Sequence, residues 1–232
     1  MVTAQDDARE TELVHRFNLV QKPDRKRQDS DAYLPIDGHQ IEFELKSVTR
    51  AKGSISTVRD FGPRHIEKWR QKHWIIGFFD GKALEGCKYG SPSDMAGWVA
   101  EKWEYVRVDF EMAKIIPGLI TPDAMYKAIG QKNRYSYEDA KTLHKDQMKK
   151  AEYLSMMDLE DGYSPDRMLE IFRERVRYVI ERGSTLNNPH IPYSYFDQWA
   201  TINEDHAMKL RELVRSWIAS APAQLILQAD TP

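Results

Sequence analysis

The stretch DAYLPIDGHQIEFELKS, Asp31 to Ser47, holds two short β-type runs joined by Asp37-Gly38. Asp-Gly is a favoured pair for a two-residue hairpin turn, because both central residues must accept positive φ. With those two residues as the turn, Ile36 faces His39, and the partners further out are Leu34–Ile41, Tyr33–Glu42, Ala32–Phe43 and Asp31–Glu44. Side-chain polarity supports this register. Ala32, Leu34, Ile36, Ile41 and Phe43 fall on one face, and Asp31, Tyr33, Glu42, Glu44 and Lys46 on the other; a slip of one residue would mix the two sets. Directly opposed residues have Cβ atoms about 4.5–5.5 Å apart. Asp31 and Glu44 therefore sit side by side, with Lys46 one pleat further along the same wall.

Two readings fit that wall. One is a solvated strand face with an ion pair. The other is a metal site, since paired carboxylates repel unless a hard cation lies between them. Asp37 is nearer to Glu44 in sequence than Asp31 is, but the separation runs along one strand from the turn. At about 3.3 Å per residue the two are roughly 20 Å apart, beyond the reach of one ion.

At these residues the chain resembles the PD-(D/E)XK nuclease superfamily, whose pattern is an Asp at the start of one strand and (Asp/Glu)-X-Lys in the next. Asp31 matches the first position and Glu44-Leu45-Lys46 the second; Ser30 stands where the pattern has Pro, a departure that touches no ligand. The resemblance implies a Mg²⁺ ion held by Asp31, Glu44 and the backbone carbonyl of Leu45, with Lys46 positioning the attacking water. Glu12, on the first helix, is the candidate auxiliary acid, weighed against a solvated helix glutamate.

Composition bounds the rest. The chain has 232 residues, 41% hydrophobic, with six Trp, enough for one good core or a core with a helical annex. No apolar run is long enough to span a bilayer, and residues 1–9 show no signal-peptide pattern. The single cysteine, Cys87, excludes an intrachain disulfide and a Cys-cluster zinc site, and the expected setting is a reducing prokaryotic cytoplasm. A net charge of −2 argues mildly against a nucleic-acid partner but leaves room for local basic patches around a carboxylate site.

Taken in order, residues 6–20 read as a helix with a Leu13, Phe17, Val20 stripe. A basic loop, 22–28, follows. After the hairpin, 48–61 reads as loop, 63–72 as a helix opened by Pro63, and 74–79 as a buried strand. The superfamily's αβββαβ order is met except for one early strand that the sequence does not place. Residues 93–105 read as a helix and 106–110, which alternate, as a strand. Helices are expected after Thr121-Pro122, at the Ser136/Asp139 capping box, from Ser164-Pro165 to a stop at Gly183 with Leu169, Phe172, Val176, Val179 and Ile180 as core stripe, and over 203–218. The expected fold is α/β (α+β): a restriction-endonuclease-like core with a mixed β-sheet flanked by helices over 1–116, and a mostly helical subdomain packed on it over 117–232, the two possibly one continuous domain.

The function that follows is a type II restriction endonuclease: Mg²⁺-dependent, sequence-specific hydrolysis of double-stranded DNA by a homodimer, with no membrane partner. The alternatives are a structure-specific repair or recombination nuclease, and a non-catalytic DNA-binding domain. Arg50, Lys52, Arg59 and Arg64 are candidate DNA contacts by position, after the metal strand. Asn187 and Asn188, in the loop 184–196, are candidates because Asn can pair bidentately with adenine, although a turn built from Asn and Pro explains them as well.

Overall fold

The structure, a computed structural model, describes residues 2–23, 29–49 and 53–220, with side chains from residue 7. It is a mixed α/β protein with a five-stranded sheet, a two-stranded sheet and, among the described residues, eight α-helices. The hairpin forms as its sequence requires. Strand β1 (Ala32–Ile36) pairs antiparallel with β2 (His39–Thr49), with Ala32 opposite Phe43 and Ile36 opposite His39. Asp37 and Gly38 take φ of 49° and 83°, the double positive φ of the expected turn.

Beyond the hairpin, helix α2 (Pro63–Trp69) carries the chain back so that β4 (His73–Asp80) lies parallel to β2, with Glu44 beside Trp74 and Lys46 beside Ile76. Strand β5 (Ala83–Gly90) returns antiparallel to β4, and β7 (Ala200–Ile202) closes the order β1-β2-β4-β5-β7. The sequence reading missed β5, where Glu85, Gly86, Cys87 and Lys88 give no clean alternation. It also missed β3 (Ser54–Ser56), which pairs with β6 (His190–Pro192) as a separate two-stranded ribbon.

One face of the sheet packs on α1 (Val2–Phe17) and α8 (His206–Ser220). Leu13 and Phe17 from α1, Leu210 and Val214 from α8, and Ala32, Leu34, Ile41, Phe43 and Leu45 form that core. The apolar hairpin face is therefore the core face, as expected. Val20 is not in the helical stripe: α1 ends at Phe17, and Val20, 53% exposed, instead forms an antiparallel bridge with Tyr33 along the outer edge of β1. On the other side Trp69 packs edge-on against Trp74, and Phe61 and Trp98 close around Trp69.

The expected strand at 106–110 is helix. Helix α3 runs from Pro92 to Leu119, passing through Pro117. Val106 and Phe110 are buried while Val108 is 56% exposed. The apolar alternation imitates a strand, but the buried pair is four residues apart, the helical spacing.

By contacts the chain divides into one unit of residues 1–103 with 186–232 and another of 104–185, not at the expected 116/117. The reason is that the last third returns to the sheet: β6 pairs with β3, β7 with β5, and α8 joins the core. The second unit holds α4 (Pro122–Ile129), α5 (Tyr137–His144), α6 (Lys150–Ser155) and α7 (Pro165–Ser184) around Met125, Tyr135, Tyr153, Tyr163 and Met168. The expected caps at Thr121, Ser136 and Ser164 are all formed. Helix α7 runs one residue past Gly183, and its buried residues are Met168, Leu169, Ile171 and Ser184; Val179 is 51% exposed. Among the described residues no helix is long and apolar enough to cross a membrane.

Gly90, at the end of β5, has no room for a side chain: a Cβ there would lie 2.5 Å from Cζ3 of buried Trp199. Gly90→Ala is expected to destabilise the fold by about 1–3 kcal/mol through overpacking. Denaturant titration checks this, and an unchanged midpoint would show that Trp199 yields freely.

Candidate active site

Asp31 lies one residue before β1, and its N–H donates to the carbonyl of Phe43, the partner of Ala32, at 3.2 Å; the ladder ends at that pair, so Asp31 stands beside β2 without the expected direct Asp31–Glu44 pairing. Its Oδ2 accepts from the Leu45 N–H at 2.9 Å. The expected juxtaposition of Asp31 with the Glu44-Leu45-Lys46 segment is thus present in the structure. In an extended strand a residue's N–H and C=O point to the same edge, so the Leu45 carbonyl leaves β2 on the side of Asp31.

Glu44 is buried, 5% exposed. Oε1 accepts from Lys46 Nζ at 2.7 Å, and Oε2 from Lys72 Nζ at 2.9 Å. Lys72, in the turn between α2 and β4, is fully buried. Burial alone would push the Glu44 carboxyl up, but the two ammonium groups outweigh it and hold the group at about 2. Burial likewise opposes the charge on Lys46, yet Glu44 and then Asp31 raise it above the usual lysine range. Lys46 is therefore a firm cation and hydrogen-bond donor near neutral pH, suited to orienting a water and not to taking its proton. Asp31 moves the other way. Burial and the neighbouring Glu44 charge raise its carboxyl, and Lys46, the Leu45 N–H and Lys72 only partly offset them.

These residues open on a cleft of about 690 Å³ whose other wall is α2, which contributes Arg64, His65 and Lys68. Burial and then the nearby Lys72 pull the Lys68 ammonium down to about 8; burial also lowers His65. Arg64, Lys68 and Lys72 recur every four residues, the spacing of one helical face. That period was the available signal for Lys68 and Lys72, which the sequence reading passed over.

The two glutamates of α1 lie differently relative to this group. Glu12 is paired with Arg16 at 2.8 Å on the helix surface. Glu10 instead faces the site: its Oε1 accepts from Gln21 Nε2, which also donates to the Asp31 carbonyl, and its charge adds to the raising of Lys46. Residues two apart on a helix point about 200° apart, so Glu10 and Glu12 face nearly opposite directions. Among the DNA-contact candidates Arg64 lines the cleft, Arg59 is exposed and outside its lining, and Arg50 and Lys52 lie outside the described residues. Asn187 is exposed, and Asn188 sits at φ 48° with its N–H bonded to the Val58 carbonyl, which is the turn reading of that pair. Asp37 is in the turn, bound by Arg215 at 2.8 Å and away from Glu44, as the register requires. Cys87 is buried, and burial pushes its thiol up to about 12.

Among the described residues no three His, Cys, Asp or Glu side chains come together as a metal cage. The donor set is two carboxylates and one carbonyl, all hard oxygens. This fits Mg²⁺, which keeps several waters and is bound through one or two carboxylates plus substrate phosphate, and does not fit zinc. The raised Asp31 carboxyl beside ionised Glu44 is the electrostatic sign of a pair that a cation would relieve.

The two carboxylates should differ in metal-free stability. Glu44, with its depressed carboxyl, contributes stability that is present above about pH 4.5 and lost as the pH falls toward 2. Glu44→Gln leaves the fully buried Lys72 and the part-buried Lys46 without that counter-charge and is expected to cost about 3–5 kcal/mol at neutral pH. Asp31 is raised in the fold, so its ionised form is a cost at neutral pH that protonation relieves. Asp31→Asn, whose amide oxygen can still accept from Leu45, should melt at or above wild type in chelator. Equal losses for the two variants would refute this electrostatic assignment.

No protein-family model matches the chain, and no curated protein matches it in sequence.

Proposed function

We propose that the protein is a Mg²⁺-dependent DNA endonuclease similar to type II restriction endonucleases, with a PD-(D/E)XK-type core. The observation that carries this reading is Asp31 bound across the hairpin to the Leu45 N–H, so that it shares one cleft with Glu44 and Lys46. Two further features support it. The parallel β2–β4 pair with α2 between them follows the expected order, and the Val20–Tyr33 bridge occupies the edge where an early strand is called for.

Asp31, Glu44 and the Leu45 carbonyl are the residues that would hold the ion, which when bound polarises the scissile phosphate and eases departure of the leaving oxygen. Lys46 orients the attacking water from the β2 wall. Arg64 and Lys68, across the cleft on α2, offset the charge of the phosphodiester. Lys72 holds Glu44 by one oxygen and Lys46 by the other, fixing the carboxylate plane before substrate arrives. Water adds to phosphorus and the P–O3′ bond breaks, giving a 5′-phosphate and a 3′-hydroxyl.

A second reading, a non-catalytic DNA-binding domain, draws on the same Glu44. Both its oxygens already meet ammonium groups, so the cluster is close to neutral without a metal. Plasmid cleavage separates the readings. With Mg²⁺ the protein should give discrete fragments, and none with chelator; a smear would indicate a nonspecific nuclease, and intact DNA the binding-only domain.

Lys46→Ala and Asp31→Ala should each abolish cleavage, with Lys46→Ala keeping DNA binding in Ca²⁺. Asp37→Asn should stay active, because Asn tolerates the turn conformation. An active Asp31→Ala with a dead Asp37→Asn would overturn the site. Cutting two strands at matching positions with one metal-bearing wall per chain calls for a two-fold dimer. Sedimentation should therefore give two protomers per duplex, and one protomer with efficient double-strand cutting would exclude the dimer.

A further inference from the structure

The cleft that holds Asp31 and Glu44 ends at Lys46, and Lys46 also lines a second cleft of about 540 Å³. That volume lies within the range of about 300–1,000 Å³ typical of ligand pockets. Thr49, Ser54, Ser56, Thr57 and His190 line it, most of them from the β3–β6 ribbon. The two compartments differ in chemistry. Around the carboxylates the opposite wall is cationic. In the second cleft the ribbon offers hydroxyls and an imidazole, the guanidinium of Arg9 is engaged by the Gly81 carbonyl at 2.6 Å and by Thr49 Oγ1, and the acid Glu10 disfavours a phosphate.

The ribbon is built to present those groups. Register places Ser54 opposite Pro192, Ile55 opposite Ile191 and Ser56 opposite His190. Alternation sends Ile55 and Ile191 inward, 2% and 0% exposed, and Ser54, Ser56 and His190 to the other face. The ribbon is also tied down at both ends. Thr57 Oγ1 donates to the Pro189 carbonyl at 2.6 Å, the Asn188 N–H to the Val58 carbonyl at 3.0 Å, and Tyr193 OH to the Thr49 carbonyl at 2.9 Å. Side chains on so fixed a frame lose little freedom on binding.

A two-stranded β-ribbon fits the major groove of B-DNA, where each base pair shows a distinct pattern of donors and acceptors. Serine hydroxyls and an imidazole can each donate and accept. We propose that the β3–β6 ribbon reads base edges of duplex DNA next to the scissile phosphate, through Ser54, Ser56 and His190. This rests on the nuclease reading and adds to it the element that selects the sequence. It moves the base-reading role from Asn187 and Asn188 to the strand that follows them.

The experiment is cleavage of a randomised duplex library in Mg²⁺ by wild type and by the double variant Ser56→Ala/His190→Ala, both exposed positions, with duplex binding in Ca²⁺ measured beside it. Wild type should cut a narrow set of sequences. The variant should still cut in a Mg²⁺-dependent way, but its preference for the best site over single-base substitutions should fall roughly 10-fold or more, the scale of one or two lost base contacts. An unchanged preference, in cleavage or in Ca²⁺ binding, overturns the ribbon's role and leaves the nuclease reading in place. Wild-type cutting without any sequence preference does the same. Wild type that cuts no DNA overturns the nuclease reading and the inference with it.

Discussion

Two consecutive residues with positive φ, Asp37 and Gly38, set the register on which the site depends. Because side chains alternate with a period of two, moving the turn by one residue would send Phe43 and Leu45 to the cleft and Glu44 and Lys46 into the core. The hairpin's apolar face is packed under α1 and α8, so that alternative would bury charges and expose the core. Turn chemistry and burial thus specify the same pairing, and the position of Asp31 beside Leu45 is a consequence of both. The Arg215–Asp37 ion pair adds little to this, since both partners are about half exposed.

On the wall so defined, charge is distributed unevenly. Glu44 faces two ammonium groups and is held ionised; Asp31 faces Glu44 and is pushed toward its neutral form. A buried lysine such as Lys72 would be costly if left alone. It is tolerated because Glu44 is already fixed on β2, and Glu44 in turn is fixed because Lys72 arrives from the turn that leads into β4. The arrangement orders one carboxylate rigidly and leaves the other electrostatically unsettled.

The parts legible in the sequence are those that local chemistry determines. The Asp-Gly turn, the Ser136 capping box and the Thr121-Pro122 and Ser164-Pro165 helix starts each need only a few neighbouring residues. What was not legible needs the assembled chain. Val106 to Phe110 has the alternation of a strand, and only its place inside a long helix, with Val106 and Phe110 buried together, resolves it. Glu10 and Glu12 are equivalent by composition and are separated only by which side of α1 meets the sheet. The β3–β6 pairing joins segments more than 130 residues apart, and no local pattern announces a partner at that distance.

The cationic half of the cleft follows from topology. A parallel β2–β4 pair requires a crossover, and α2 is that crossover. A helix lying over the strand that carries Glu44 and Lys46 must present one stripe to it, and Arg64 and Lys68 occupy that stripe, with Lys72 continuing the same four-residue step into the turn. The connection that makes the strands parallel is therefore the element that brings positive charge opposite the carboxylates. At a net charge of −2 the chain as a whole is not basic, and the fold gathers these few cations together on one side of the carboxylates.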